Sequence, residues 1–412
     1  MRIILRPTDS LTIFLQQLGR GLRLSPGKTE LTVLDFVAQA HKKYDFASKF
    51  RALTLRPEKN IAQQIANGFT LLPTGCSIIM EKQARQYILE NILQAIYNKN
   101  RLVKEINSYT TLPTLTQFLE NNGQDIRVVF ARGLCWTFLK RAAGRISYTD
   151  DAITRRLEKG MGNLIHHNTA SYLHFVADFL SGSKRYMDED KRLYATMLYY
   201  DLYQERIDKT ELKEIGMYRA LALLHDDRYR HFKQEAAEIV SYLLSHLEIT
   251  TTPLGPEVLP CIELYGCYTR EEIFTLVGRQ TEKRRMSGSV SGAFNLPEYD
   301  ATLLFVTLNK SDKDFSPSTQ YDDYVINKDY FHWQSKNTDS HHNRGGRIYT
   351  EQPQRHNKIV LFVREEKKDG FGNTCPFHCF GLVDYVSSHG DFPMNITWKL
   401  EKPVMPQYLK VV

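Results

Sequence analysis

The segment QQLGRGLR, residues 16–23, carries the strongest chemical signature in the chain: Gln16, Gly19, Arg20 and Arg23 in the order Gln-x-x-Gly-Arg-x-x-Arg. On a helix, Arg20 and Arg23 stand three residues apart and share a face. Paired guanidiniums clamp a polyphosphate, and in phosphoryl transfer such an arginine stabilises charge on the γ-phosphate. Gly19 keeps the helix slim where another surface approaches. A basic amphipathic helix with a solvated face has the same composition, so the flanking segments must decide.

Gly27-Lys28-Thr29 mimics the end of a phosphate-binding loop. That motif needs glycine, four residues, then Gly-Lys-Ser/Thr. The upstream position here is Leu22, Gly21 lies one residue too early, and the segment leads into a strand. Lys28 is therefore read as a turn lysine. The sequence holds no other such loop and no Asp-Glu-Ala-Asp or Asp-Glu-x-His box.

Two later segments suit nucleic acid. Arg279, Lys283, Arg284 and Arg285 precede the glycine/serine-rich MSGSVSG and could contact phosphates; a solvated, mobile loop is the alternative. In FHWQSKN (residues 331–337), Trp333 could stack on a base and Gln334 bond its edge. The alternative is a strand end with Phe331 and Trp333 in the core. Lys140, Arg141 and Arg145 lie near a helix end, where cations favour the helix dipole anyway.

No metal site is expected. Asp322-Asp323 followed by Gln334-Ser335-Lys336 echoes the carboxylate-and-lysine pattern of metal nucleases, but the pattern is short and degenerate. Cys375-x-x-His378-Cys379 lacks a second ligand pair at zinc spacing; Cys261, Cys267 and His341-His342 do not supply one.

These residues need elements to position them. RIILRPT (2–8) and LTVLDFV (31–37) read as buried strands, with SLTIFLQQLGRGLR a helix between them, capped by Asp9 or Ser10. Residues 41–250 read as a long run of helices with apolar residues at three- and four-residue steps; one spans DIRVVFARGLCWTFLKRAAG (125–144). TTTPLGPEVLP (250–260) breaks the pattern and marks a boundary. Strands follow at 301–308, 358–365, 378–388 and 395–400, while 335–354, with Gly345-Gly346, reads as a loop or mobile hairpin.

Positions 1–60 hold 11 basic and 5 acidic residues, so most of the +7 net charge is N-terminal. That surplus is compatible with nucleic acid. Of the chain's 47 aromatic residues, 21 follow residue 249, which suits a β-rich end. Hydrophobic and charged shares of 42% and 25% exclude wholesale disorder. No run approaches the ~18 apolar residues of a membrane span. MRIILRPTDS lacks a signal peptide's apolar core, and six scattered cysteines suit a reducing cytoplasm.

A helix with this Gln-Gly-Arg-Arg motif between these strands resembles motif six and the last strands of superfamily-two helicases. The resemblance implies that Gln16, Arg20 and Arg23 face ATP held by another lobe. Residues 31–53 resemble the exit from the helicase lobe in a bacterial group of DEAD/DEAH-type helicases, which end in a domain of unknown function and often begin with a phospholipase-D-like nuclease. Residues 299–337, 359–369 and 380–400 resemble that terminal domain. The implied organisation is α+β: a remnant of the second RecA-like lobe over 1–55, a helical region over 56–250, and a β-rich domain over 251–412. The chain would then begin inside that lobe, its N-terminal helicase or nuclease part lying in the same or an adjacent polypeptide. No cofactor is expected for this chain alone; ATP and Mg²⁺ belong to the intact family member.

Two function classes follow. One is the C-terminal part of an ATP-dependent DNA helicase or translocase in restriction, repair or phage defence. The other is a non-catalytic DNA- or protein-binding module, a helical stalk with a β-rich reader. Both make DNA the expected partner and place the protein in the cytoplasm, off the membrane.

Overall fold

The computed structural model describes residues 99–182, 189–286, 292–309, 322–369, 373–405 and 408–409; of the first 98 residues it describes 2–4, 13–16, 18, 32–35, 46–51, 53, 65, 77–79 and 88. The chain divides into two compact units, residues 1–113 with 117–129, and residues 114–116 with 130–412.

In the first unit, β1 (Arg2–Ile4) and β2 (Val33–Asp35) pair in parallel, with Arg2 opposite Val33. Residues 13–16 between them are helical and bury Phe14. Parallel neighbours need such a crossover. Lys49, in α1 (Phe46–Arg51), places its ammonium 5.3 Å from the Phe14 ring centroid. Helix α2 (Lys99–Ser108) buries Leu102 and Ile106, four residues apart on one face. Short helices α3 (Leu115–Asn121) and α4 (Ile126–Val129) follow. Within the helical run expected from residue 41, residues 54–64, 66–76, 80–87 and 89–98 lie outside the described residues.

The continuous helix expected over 125–144 is instead broken. Arg132 and Gly133 take φ of 55° and 76°, which no helix continues through, and α5 (Trp136–Ala142) starts afresh with Cys135 Sγ accepting the Phe138 N–H. The second unit then runs through α6 (Ala152–Gly160), α7 (Ala170–Leu180), α8 (Glu189–Tyr203), α9 (Met217–Ala222) and α10 (Arg230–Ser245). Asp151 and Thr154 close a reciprocal capping box at the start of α6. Gly160 is required where α6 meets α8, since a Cβ there would lie 2.2 Å from the Leu202 carbonyl oxygen.

Residues 250–260 fall inside this unit. Within them β3 (Thr252–Pro253) pairs with β4 (Glu263–Leu264). Beyond lie β5 (Cys267–Tyr268), α11 (Arg270–Leu276), β6 (Ala293–Leu296), β7 (Ala301–Thr307), β8 (Tyr324–Val325), β9 (Tyr330–Gln334), α12 (Arg344–Thr350), α13 (Gln352–Arg355), β10 (Lys358–Arg364), β11 (Phe377–His389) and β12 (Asn395–Leu400). The sheet order is β6-β7-β10-β11-β12-β9-β8, with β5 also on β11. Among the described residues only β7 and β10 are parallel within it, Leu304 opposite Leu361 and Phe305 opposite Phe362.

Both faces of this sheet are covered, so β7 reads as a continuous apolar run and every residue in it is buried. Phe305 and Phe362 point to one face, where Phe305 meets Phe274 of α11 edge-on. Leu304 and Leu361 point to the other, into a cluster with Trp333, Tyr349 of α12 and Trp398. The chain is thus α+β with a β-rich carboxy-terminal region. Among the described residues no helix is long and apolar enough to cross a membrane.

The loop or hairpin expected over 335–354 is turn and loop over 335–343 but helical from Arg344 on. Gly345 and Gly346 sit inside α12, where a Cβ on Gly346 would lie 2.1 Å from the Ser340 carbonyl oxygen and 2.5 Å from Met394 Sδ. Glycine serves close approach here, not a turn.

Candidate functional site

Gln16 is exposed within helical residues 13–16. Arg20 and Arg23 lie outside the described residues. The basic cluster is largely engaged within the fold. Arg279 pairs with Glu298, and Arg285 reaches Glu271 at 3.0 Å and the Gln204 carbonyl at 2.6 Å. Arg284 Nε donates to the Arg279 carbonyl at 2.7 Å, yet its side chain and that of Lys283 remain exposed.

The expected base-reading pair needs correction. Trp333 is 4% exposed, edge-on to Tyr349 at 5.0 Å, so it offers no free face for stacking. Gln334 is half-buried; its carbonyl accepts the Asp322 N–H at 2.8 Å and its amide donates to Asn395 Oδ1 at 2.9 Å. Asp323, weighed above as a nuclease carboxylate, takes the Gln334 N–H at 2.9 Å and fastens β8 to β9. His378, weighed as a zinc ligand, bonds Tyr408 through Nδ1.

The densest arrangement of chemical groups is one the sequence does not announce. His166 and His167 lie in the link from α6 to α7. Asn163 anchors the preceding turn on the Asp201 carbonyl at 2.8 Å. Asn168 holds the other side, donating to the Tyr265 carbonyl at 3.0 Å and accepting the Cys267 N–H at 2.6 Å. The two imidazoles are thereby fixed with ring centroids 4.4 Å apart.

Each imidazole meets a buried carboxylate. His166 Nε2 lies 3.0 Å from Glu272 Oε2, and His167 Nε2 lies 3.1 Å from Asp201 Oδ2. Asp201 Oδ2 also accepts the Tyr172 hydroxyl at 2.7 Å. Glu272 is itself placed by a capping box, with its Oε2 taking the Thr269 N–H at 2.9 Å. His167 is 1% exposed in its side chain and its Nδ1 has no hydrogen-bond partner, whereas His166 is 16% exposed.

The electrostatics follow from burial and pairing. Burial pushes the Asp201 carboxyl up, against the opposing pull of His167 and the Tyr172 hydroxyl. Burial would also raise Glu272, but the His166 charge and hydrogen bond outweigh it and hold that carboxyl below its usual range. Burial alone would lower His166, yet Glu272 draws it up. One imidazole nitrogen each of His166 and His167 and one carboxylate oxygen of Glu272 lie within 4.8 Å of one another.

A second constellation is more open. His341 Nε2 lies 2.7 Å from Ser388 Oγ, and its Nδ1 lies 2.9 Å from Asp391 Oδ1. The order matches a nucleophile, base and orienting acid. Asp391 Oδ1 also takes the His341 backbone N–H at 2.8 Å, and Tyr385 Oη shares Ser388 Oγ at 2.7 Å. These further bonds fasten the loop before α12 to the β11–β12 turn.

Comparison with known proteins assigns one segment. No curated protein matches the chain. Residues 262–411, from β4 to the C-terminal end, match the family described as a domain of unknown function, DUF3427.

Proposed function

We propose that the chain is the C-terminal part of an ATP-dependent DNA helicase or translocase, serving restriction, repair or phage defence, with residues 262–411 as its binding end. The supporting observation is the parallel pairing of β1 and β2 around a helix that exposes Gln16. That is the strand–helix–strand unit from which a RecA-like lobe is built, and it carries the Gln-x-x-Gly-Arg-x-x-Arg motif in its crossover. The DUF3427 match adds weight, because that domain occurs in helicase-associated proteins. In this account Mg²⁺ and ATP are held by a lobe bearing the phosphate-binding loop, and Gln16, Arg20 and Arg23 face the nucleotide. The DNA sequence upstream of the Met1 codon tests it. A reading frame encoding Gly-x₄-Gly-Lys-Ser/Thr and an Asp-Glu box supports the assignment; no such sequence in any frame, there or in an adjacent gene, overturns it.

The second reading is a non-catalytic module that binds DNA or a protein. The internal pairing of Arg279 and Arg285 leaves Lys283 and Arg284 as the exposed cations of the cluster and so favours modest, salt-sensitive DNA contact. Titrating the chain with single- and double-stranded DNA at low salt should give binding that Lys283→Ala with Arg284→Ala weakens alike for every sequence. No binding to either DNA would leave protein docking as the module's role.

A further inference from the structure

We propose that His166, His167 and Glu272 form a binding site for a divalent transition-metal ion of the zinc class, independent of any nucleotide chemistry.

The first argument is the donor set. Two imidazoles and one carboxylate converge within 4.8 Å, from the α6–α7 link and from α11. Two histidines and a glutamate are an established ligand set for zinc with three protein donors and one open position. Imidazole donors disfavour Mg²⁺ and Ca²⁺, which take oxygen ligands.

The second argument is the orphaned nitrogen. Asp201 Oδ2 lies 3.1 Å from His167 Nε2, which places the imidazole proton there and turns the Nδ1 lone pair free. That Nδ1 is buried and has no hydrogen-bond partner. A wholly structural hydrogen-bond network leaves this atom unexplained, since buried polar atoms are rarely left unpaired. A metal ion explains it.

The third argument is the support behind the ligands. Ligating histidines commonly donate their other N–H to a carboxylate, which fixes the ring and raises its basicity. Asp201 does this for His167 and is itself held by the Tyr172 hydroxyl. The capping box likewise fixes Glu272.

Binding needs a small closure. Metal–nitrogen and metal–oxygen bonds of ~2.0–2.2 Å put tetrahedral donors about 3.4 Å apart, so a separation of up to 4.8 Å must shrink by as much as about 1.4 Å while the 3.0 Å contact of His166 with Glu272 opens slightly. The ion inserts between His166 Nε2 and Glu272 Oε2, now hydrogen-bonded to each other, and the proton shared there leaves to solvent. The partly exposed edge of His166 is the route in. The ion would tie Glu272, inside the DUF3427 segment, to the α6–α7 link outside it.

The test uses the full chain stripped with a chelator and titrated with Co²⁺, then with Zn²⁺ in competition. The expected result is one Co²⁺ per chain with the visible absorption of a tetrahedral site, displaced by one equivalent of Zn²⁺, and a rise in Tm on loading. His166→Asn, at the most exposed ligand, and Glu272→Gln, which keeps a capping acceptor, should each abolish the band; their metal-free circular dichroism shows whether the fold is retained. Asp201→Asn should keep the stoichiometry but weaken binding ~10–100-fold. Absence of stoichiometric Co²⁺ or Zn²⁺ uptake, or equal uptake by parent and folded His166→Asn, would overturn the proposal.

Discussion

Glu235 caps a helix that begins 99 residues before it: its Oε1 accepts the Trp136 N–H at 2.7 Å, while Oε2 accepts the Thr137 N–H at 2.9 Å. The carboxylate is fully buried on α10, and it satisfies two of the donors that the first turn of α5 cannot pair internally. Buried Lys140 adds a favourable charge, although burial still pushes the Glu235 carboxyl up. Glu235→Ala strands two buried N–H groups and removes the carboxylate that offsets the charge of buried Lys140. It should lower unfolding stability by ~3–5 kcal/mol, read as a shift in the urea midpoint. Glu235→Gln retains one acceptor and should cost less.

Trp333 anchors the core on one face of the sheet. Its ring is buried beside Tyr349 and Trp398, with centroids 5.0 and 6.3 Å away. Trp333→Ala should therefore cost ~3–5 kcal/mol through lost burial and a cavity, and thermal unfolding would register it. Any change in DNA preference below the variant's Tm would count against a purely structural role. Trp333→Phe should leave DNA binding as in the parent.

The contrast shows which features a sequence displays. Strands β7 and β10 are legible because both of their faces are covered and their apolar runs are nearly continuous, β11 because its first half is apolar, and β12 because buried Ile396, Trp398 and Leu400 alternate with polar residues. The β1–helix–β2 unit is legible because its strands and helix differ in period. Trp333 was ambiguous because aromatics beside amides suit a base pocket and a strand end equally. Gly345-Gly346 looked like loop punctuation, since a sequence does not reveal that Ser340 and Met394 press against them. The His166–His167–Glu272 centre was hidden for another reason: its members come from distant elements, Glu272 lying 106 residues after His166, so no local spacing announces it. Adjacent histidines just before a helix were the only trace.

His378 supplies a pH dependence. It lies on β11, buried against Tyr408, whose hydroxyl meets its Nδ1 and also donates to the Val363 carbonyl at 3.4 Å. Burial pushes this imidazole down to about 4, whereas in the unfolded chain it titrates near ~6.5. Between those values the unfolded chain binds a proton that the folded one refuses. Its contribution is therefore fully present above pH ~6.5 and is lost as pH falls toward about 4, by up to ~3 kcal/mol. The slope of Tm against pH over this window should flatten in His378→Gln. An unchanged slope would assign the acid sensitivity to other groups.

The last expectation concerns where the chain can be cut. Its Pro/Gly-rich segment at 250–260 suggests a linker that would release residues 250–412 as a domain, but the bonding crosses it. Glu263 accepts hydroxyl protons from Ser171 on α7 and from Thr251. Asn168 holds Tyr265 and Cys267, the Tyr200 hydroxyl donates to the Thr281 carbonyl at 2.7 Å, and His166 meets Glu272. Leu254 N–H donates to the Ile262 carbonyl at 3.0 Å, and Lys358 reaches the Glu257 carbonyl, so the segment itself is tied to the sheet. Residues 250–412 made alone would present Glu263, Glu272 and the covered face of α11 to water without these partners. Limited proteolysis should therefore leave 250–260 intact and yield a resistant product that retains residues 130–250 together with the sheet. Early cleavage within 250–260, giving a stable 250–412 fragment, would show instead that the helical and β-rich parts are separable domains.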